Sequence, residues 1–141
     1  MLHAIARYIH RVPLHPDAHV VRGGTIRSAA VLLEKVREAI EDGDGPVVSV
    51  FCDVDRSDDS AGLTLTELST ESDIPHSKLQ VSTVGRLSAG GFALTLDVSN
   101  GQPRTHHHVT IGEPVEESTL VRFIECFDEP ILNPTGGKVR R

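Results

Sequence analysis

The chain of 141 residues has the length of one ordinary domain, and its 38% apolar and 24% charged residues are typical of a globular protein. No apolar stretch approaches the roughly 20 residues of a membrane span, and the two cysteines lie in apolar runs, which excludes a disulfide framework. The net charge is −6, so the chain lacks the basic balance of a general nucleic-acid binder. We therefore expect a cytoplasmic protein without membrane contact.

Residues 1–24 are predicted to form an N-terminal arm of one helix and a loop. Apolar residues recur at helical spacing over residues 2–11, and two prolines end this helix. The segment that follows is predicted to be extended or looped. Arg22 lies beside Gly23 and Gly24, directly before the next helix, where an anion can bind at the helix N-terminus. These three residues are therefore one candidate ligand site.

Residues 25–132 are predicted to form a single α+β domain. Continuous apolar stripes predict amphipathic helices over residues 25–41 and 117–127. Each stripe needs an apolar partner, which we expect to be an antiparallel sheet. The predicted domain is therefore an antiparallel sheet packed on two or three helices. The sheet is predicted to have about four strands, over residues 47–54, 79–87, 92–98 and 105–111. Residues 133–141 are predicted to be a disordered tail.

The segment 79–89 fits two structures. Its three β-branched residues favour a strand, whereas its leucines at helical spacing, followed by Gly90 and Gly91, favour a helix. We favour the strand, which extends the hairpin that is predicted to turn at Asn100 and Gly101.

Three consecutive histidines lie in the return strand of this hairpin. Because successive side chains of a strand point to opposite faces, His106 and His108 share one face and His107 lies on the other. Two histidines at i and i+2 of a strand are a known metal-ligand arrangement, but a complete site needs a third or fourth ligand. The sequence leaves that ligand open, and the candidates are His76, or His15 and His19. The alternative is an exposed histidine face paired with nearby carboxylates.

A second candidate metal site follows the predicted strand 47–54. Asp53 and Asp55 lie at i and i+2 near its carboxyl end, and carboxylate oxygen is the ligand that Mg²⁺ prefers. The pattern Asp-x-Asp-x-Ser resembles the first motif of haloacid-dehalogenase-type phosphatases and the start of an EF-hand loop, but later residues depart from both families. An acidic loop after a strand is the alternative.

Residues 63–92 permit a different interpretation. Read as two helices and a hairpin, this segment is similar to the helix-turn-helix and wing of winged-helix regulators. The resemblance implies major-groove contacts from His76, Lys78, Gln80 and Ser82. However, the second helix would hold three β-branched residues and Gly85, and the acidic residues nearby would repel phosphate.

The leading hypothesis is a small, non-enzymatic binding module that acts through a protein partner or by self-association. It rests on the lack of a complete catalytic set and on the uneven charge, because acidic residues are concentrated in residues 41–73. The alternatives are a winged-helix DNA-binding regulator and a metal-dependent enzyme. That enzyme would use Asp53 and Asp55, or His106 and His108. No cofactor is predicted other than a divalent metal under this last alternative.

Overall fold

The computed structural model describes residues 7–8, 14–53 and 62–137. Within these ranges, seven strands form one sheet in which all neighbouring strands are antiparallel, and four α-helices accompany it. The predicted α+β class is confirmed, with more strands than the four expected. In the described part of the chain, no helix has the length and apolar character to cross a membrane.

The strands are β1 (Arg7–Tyr8), β2 (His19–Gly23), β3 (Val47–Cys52), β4 (Lys78–Thr83), β5 (Leu94–Asp97), β6 (His106–Thr110) and β7 (Ile131–Leu132). Across the sheet they lie in the order β1-β5-β6-β3-β2-β4-β7. The helices are α1 (Ala29–Glu41), α2 (Leu65–Ser72), α3 (Val84–Ala89) and α4 (Glu117–Glu125).

One face of the sheet, here called the core face, packs on α1, α3 and α4. It includes Val20, Val48, Val50 and Val109, which cluster with Leu32 and Val36 of α1, Leu87 of α3, and Leu120 and Phe123 of α4. Phe123 lies near the middle of this cluster, with its ring centroid 5.3 Å from that of Phe92 and 5.2 Å from that of Phe127. The predicted packing of two amphipathic helices on a sheet is therefore observed.

The opposite face, here called the histidine face, is covered in part by α2. Leu68 of α2 packs with Val21 of β2 and Leu79 of β4. A capping box begins this helix, because the Thr64 side chain accepts a hydrogen bond from the Glu67 amide and the Glu67 side chain accepts one from the Thr64 amide.

The segment 79–89 contains both structures that its sequence permits. Residues 78–83 are strand β4, and Thr83 then accepts a hydrogen bond from the Arg86 amide, which caps α3. The helix-turn-helix interpretation of residues 63–92 is therefore wrong, because its second helix begins as a strand inside the sheet. Gln80 and Ser82 are buried on the core face, where they cannot contact a DNA groove.

The N-terminal arm also differs from the prediction. Residues 19–23 are not a loop but strand β2, which lies between β3 and β4. Val20 and Val21 are both fully buried, one on each face, so this strand lacks the alternation that would have marked it. Arg7 and Tyr8 pair with β5 as a strand, so the helix over residues 2–11 is wrong at these two positions. The other residues of that helix lie outside the described ranges.

Two further boundaries concern the hairpin and the tail. β5 and β6 pair as predicted, and the connection contains a 3₁₀ turn over Ser99–Gly101 with Gly101 at a φ of 75°. The predicted start of the tail lies inside the folded structure, because Asn133 is only 4% exposed. Its side-chain amide donates hydrogen bonds to the carbonyl oxygens of Ile74 and His76.

Candidate metal site on the histidine face

Two of the three consecutive histidines share the histidine face, as their alternation predicted. His106 pairs across the sheet with Phe51, and His108 pairs with Ser49 on one side and Thr95 on the other. His107 lies opposite Val50 on the core face.

Asp97, at the end of β5, completes a group of three potential metal ligands with His106 and His108. The Oδ2 atom of Asp97 is 3.2 Å from Nε2 of His108 and 3.9 Å from Nδ1 of His106. The potential ligand atoms of the three residues all lie within 4.8 Å of one another, and the two imidazole centroids are 5.1 Å apart. All three side chains are buried. The structure therefore places a third side chain of ligand type, which the sequence left open, beside the two histidines.

These distances suit a small cation with nitrogen and oxygen ligands. Metal–ligand bonds of about 2.0–2.2 Å at a tetrahedral centre place neighbouring ligand atoms about 3.3–3.6 Å apart. The observed separations of 3.2 and 3.9 Å from Asp97 Oδ2 differ from this range by a few tenths of an ångström at most. The ligand nitrogens of the two imidazoles are within 4.8 Å of each other, so binding of one ion would require the rings to rotate toward a common point.

Hydrogen bonds orient the carboxylate of Asp97. Its Oδ1 atom accepts from the amide and the hydroxyl of Ser99, at 3.1 and 2.5 Å, which turns Oδ2 toward the two imidazoles. An aspartate that binds the amide two residues later favours a turn, so the same side chain shapes the connection from β5 to β6.

Both ring nitrogens of His106 have partners. Nδ1 lies 2.8 Å from the carbonyl oxygen of Asp97, and Nε2 lies 3.0 Å from the hydroxyl of Ser49. Because a carbonyl only accepts, Nδ1 carries the proton in this arrangement and Nε2 accepts from Ser49. If Nδ1 instead bound a cation, it would give up its hydrogen bond to the Asp97 carbonyl, Nε2 would carry the proton, and the Ser49 oxygen could accept it.

The start of β6 is attached to α2 next to this site. The hydroxyls of Ser72 and Thr105 are 2.7 Å apart and buried, and Arg104 forms an ion pair of 2.7 Å with Glu71. These contacts fix the position at which the histidines enter the sheet.

Ser49 connects the site to the surface. Although β3 is an inner strand of the sheet, Ser49 is exposed, and it lines a cleft of about 520 Å³. His76, Gly23 and Gly24 line the same cleft. The buried histidines therefore lie one hydrogen bond away from an open depression.

The other predicted metal ligands do not join this group. Asp53 is buried, and its carboxylate accepts a hydrogen bond from the Leu63 amide at 3.2 Å. Asp55 lies outside the described residues. Among the described residues, the one set of suitable ligands is the group of Asp97, His106 and His108. The candidates named from the sequence, His15, His19 and His76, are not members of this group.

The start of the first long helix, next to the predicted anion site, differs from the prediction. Helix α1 begins at Ala29 rather than Thr25, and Ser28 caps it by accepting from the Val31 amide. The Gly24 amide donates to the carbonyl of Lys78, whose side chain is exposed on β4. Arg22 is buried on the core face, and anion binding at Arg22, Gly23 and Gly24 stays a prediction.

Comparisons of the chain with models of protein families, with curated proteins and with solved structures find no match. No activity can therefore be transferred from a relative. The geometry and chemistry of the site itself are the basis for its function.

Proposed function

We propose that the protein binds a divalent transition-metal ion through Asp97, His106 and His108. The proposal depends on one observation, the convergence of three buried side chains of ligand type within 4.8 Å. Two imidazoles and one carboxylate suit Zn²⁺, Fe²⁺ and their neighbours better than Mg²⁺ or Ca²⁺, which prefer oxygen ligands throughout.

The number of ligands favours a reactive site over a structural one. Structural zinc sites use four protein ligands, whereas catalytic sites use three and leave a position for water or substrate. An ion held here would supply Lewis-acid chemistry. Asp97 would lower the net charge of the site, and Ser49 would hold the second nitrogen of His106. We therefore favour the metal-dependent enzyme, with His106 and His108 rather than Asp53 and Asp55 as its ligands.

Metal binding is tested on protein made without a histidine tag and purified without metal-affinity resin. We expect one ion per chain by elemental analysis, or stoichiometric binding when Zn²⁺, Co²⁺, Mn²⁺ or anaerobic Fe²⁺ is titrated into protein treated with chelator. Loss of an outer partner of a metal ligand typically weakens binding roughly 10–100-fold. Removing a ligand itself, as in His108→Gln or Asp97→Asn, should therefore weaken it at least about 100-fold.

The matched control is His15→Gln, because His15 accepts a local hydrogen bond from the Asp17 amide and lies outside the proposed site. It should leave the affinity unchanged. Ser49→Ala should fall between the control and the ligand variants. If no metal is retained and none of the four ions binds, or if His108→Gln binds as tightly as His15→Gln, the three side chains are only a buried hydrogen-bond network.

The hypothesis of a module that acts through a protein partner or by self-association stays a prediction, as does its place in the cytoplasm. Native mass spectrometry of the purified chain tests self-association directly. A metal site and an interaction surface can coexist, so the two measurements are made separately.

A further inference from the structure

Arg22 is a buried cation at an inner position of the sheet. It lies on β2, between β3 and β4, opposite Gln80, and only 8% of its surface is exposed. Its side chain is on the core face, whereas the proposed metal ligands are on the histidine face. It is therefore a separate feature from the metal site.

The hydrogen bonds of Arg22 satisfy only part of its guanidinium group. Nη1 donates to the side-chain oxygen of Gln80 at 3.2 Å, and the same oxygen accepts from the Ile26 amide at 3.0 Å. The Nε atom is buried and has no hydrogen-bond partner. The ion pairs among the described residues do not include Arg22. A side chain with five N–H donors thus meets a single neutral acceptor.

Such a position is unfavourable for a charged group. Burial lowers the pKa of Arg22 to about 10, so the guanidinium is still charged at neutral pH. Buried charges are normally paired, because the loss of hydration is offset only by an opposite charge and by satisfied hydrogen bonds. Among the residues that the structure describes, Arg22 therefore has no counter-ion, and an anion from solution could fill that role.

Arg22 also borders two cavities. It lines the cleft of about 520 Å³ as well as a small apolar recess beside Phe123 and Phe127. The recess holds about 10 Å³, close to the volume needed for one water, so it can accept little more than a small apolar group. Lys35 also lines the cleft. The acidic residues that line the cleft are Glu38, Asp42 and Asp44, which lie on α1 and in the turn after α1.

We propose that Arg22 binds the carboxylate group of a small organic anion at the inner end of this cleft. The planar fork of a guanidinium matches a carboxylate through two parallel hydrogen bonds, and one positive charge balances one negative charge. Phosphate normally needs further cations or several unused backbone amides. Here the amides of Gly24 and Ile26 already donate to Lys78 and Gln80.

The direct test follows the Nε–H signal of Arg22 in ¹⁵N-labelled protein by NMR. The signal is assigned by its loss in Arg22→Lys. Acetate is titrated against chloride at constant ionic strength, with inorganic phosphate as a second arm. We expect acetate to shift the Arg22 signal saturably and to leave that of exposed Arg27, which pairs with Glu129, in place. No saturable shift, or a shift with phosphate alone, would overturn the proposal.

A second measurement uses the thermal stability of variants. A ligand that binds only the folded chain multiplies the folded-to-unfolded ratio by one plus its concentration over Kd, about 11-fold at ten times the Kd. Acetate should therefore raise the Tm of the wild type and of Arg27→Met, but not that of Arg22→Met. An equal rise in Arg22→Met would refute the assignment. If Arg22→Met does not fold, the NMR titration of the wild type decides alone.

Discussion

Replacing Asp97 with alanine tests whether its carboxylate holds the histidine site together. The substitution removes the acceptor of two hydrogen bonds from Ser99 and the contact of 3.2 Å with His108. Hydrogen bonds to charged groups contribute roughly 1.5–3 kcal/mol each. Losses within one network are not additive, so we expect the free energy of unfolding to fall by roughly 3–5 kcal/mol.

This loss converts into a large change in melting temperature. Unfolding entropy of about 2.1 cal/mol/K per residue gives about 0.3 kcal/mol/K for a chain of 141 residues. The Tm of Asp97→Ala should therefore fall by about 10–17 °C. Calorimetry is done with a chelator present, so that metal binding does not add to the stability of the wild type.

The control for Asp97→Ala is the same substitution at an exposed aspartate. Asp128 forms an ion pair of 3.0 Å with Arg86, but its side chain is 66% exposed. Exposed pairs contribute roughly 0.2–1 kcal/mol, so the Tm of Asp128→Ala should fall by no more than about 3 °C. If the two variants lose similar stability, Asp97 is not held in the buried network described above, and the reasoning fails.

Three further predictions concern packing and reactivity. Gly23→Ala should lower the free energy of unfolding by roughly 1–3 kcal/mol, because its Cβ would overlap Nδ1 of His76. Urea unfolding should show that Gly23→Ala lowers the free energy of unfolding less in a His76→Ala background. An equal loss in both backgrounds would contradict the clash. In the same assay, Phe123→Ala should lower the free energy of unfolding by roughly 3–5 kcal/mol, because Phe123 is 1% exposed. A loss below about 1 kcal/mol would show that Phe123 is not central to the core. Burial raises the pKa of Cys52 to about 12, so the neutral thiol should resist iodoacetamide at pH 8 until urea unfolds the chain; rapid native labelling, seen by mass spectrometry, would disprove this.

The sequence predicted best the elements whose pattern is local. Strands β3, β5 and β6 and helices α1 and α4 lie where apolar runs, alternation or stripes predicted them, with boundaries shifted by a few residues. Strand β2 was missed because Val20 and Val21 are buried on opposite faces, between a histidine and an arginine. A strand buried on both faces has no alternation, and two valines are too short a run to indicate one.

A single assignment of segment 79–89 as strand or helix was not possible, because the segment contains the end of a strand and a short helix. Its β-branched residues and its helical spacing overlap in a window of eleven residues, and both signals were correct for different parts. Thr83 separates them by ending β4 and capping α3 with its own hydroxyl. A capping residue is thus a better marker of such a boundary than the average preference of the window.

The two candidate sites differ in how far a sequence can indicate them. Alternation placed His106 and His108 on one face, and the hairpin brings Asp97 beside them, so the third ligand could have been sought across the predicted turn rather than among distant histidines. The missing counter-ion of Arg22 depends on every side chain around it, which only the folded chain determines. In both places, apolar residues of similar volume would cost less to bury than ionisable groups do. The lower stability caused by these ionisable groups is explained if the histidine site binds a metal ion and Arg22 binds an anion. The metal and acetate titrations test these two cases independently.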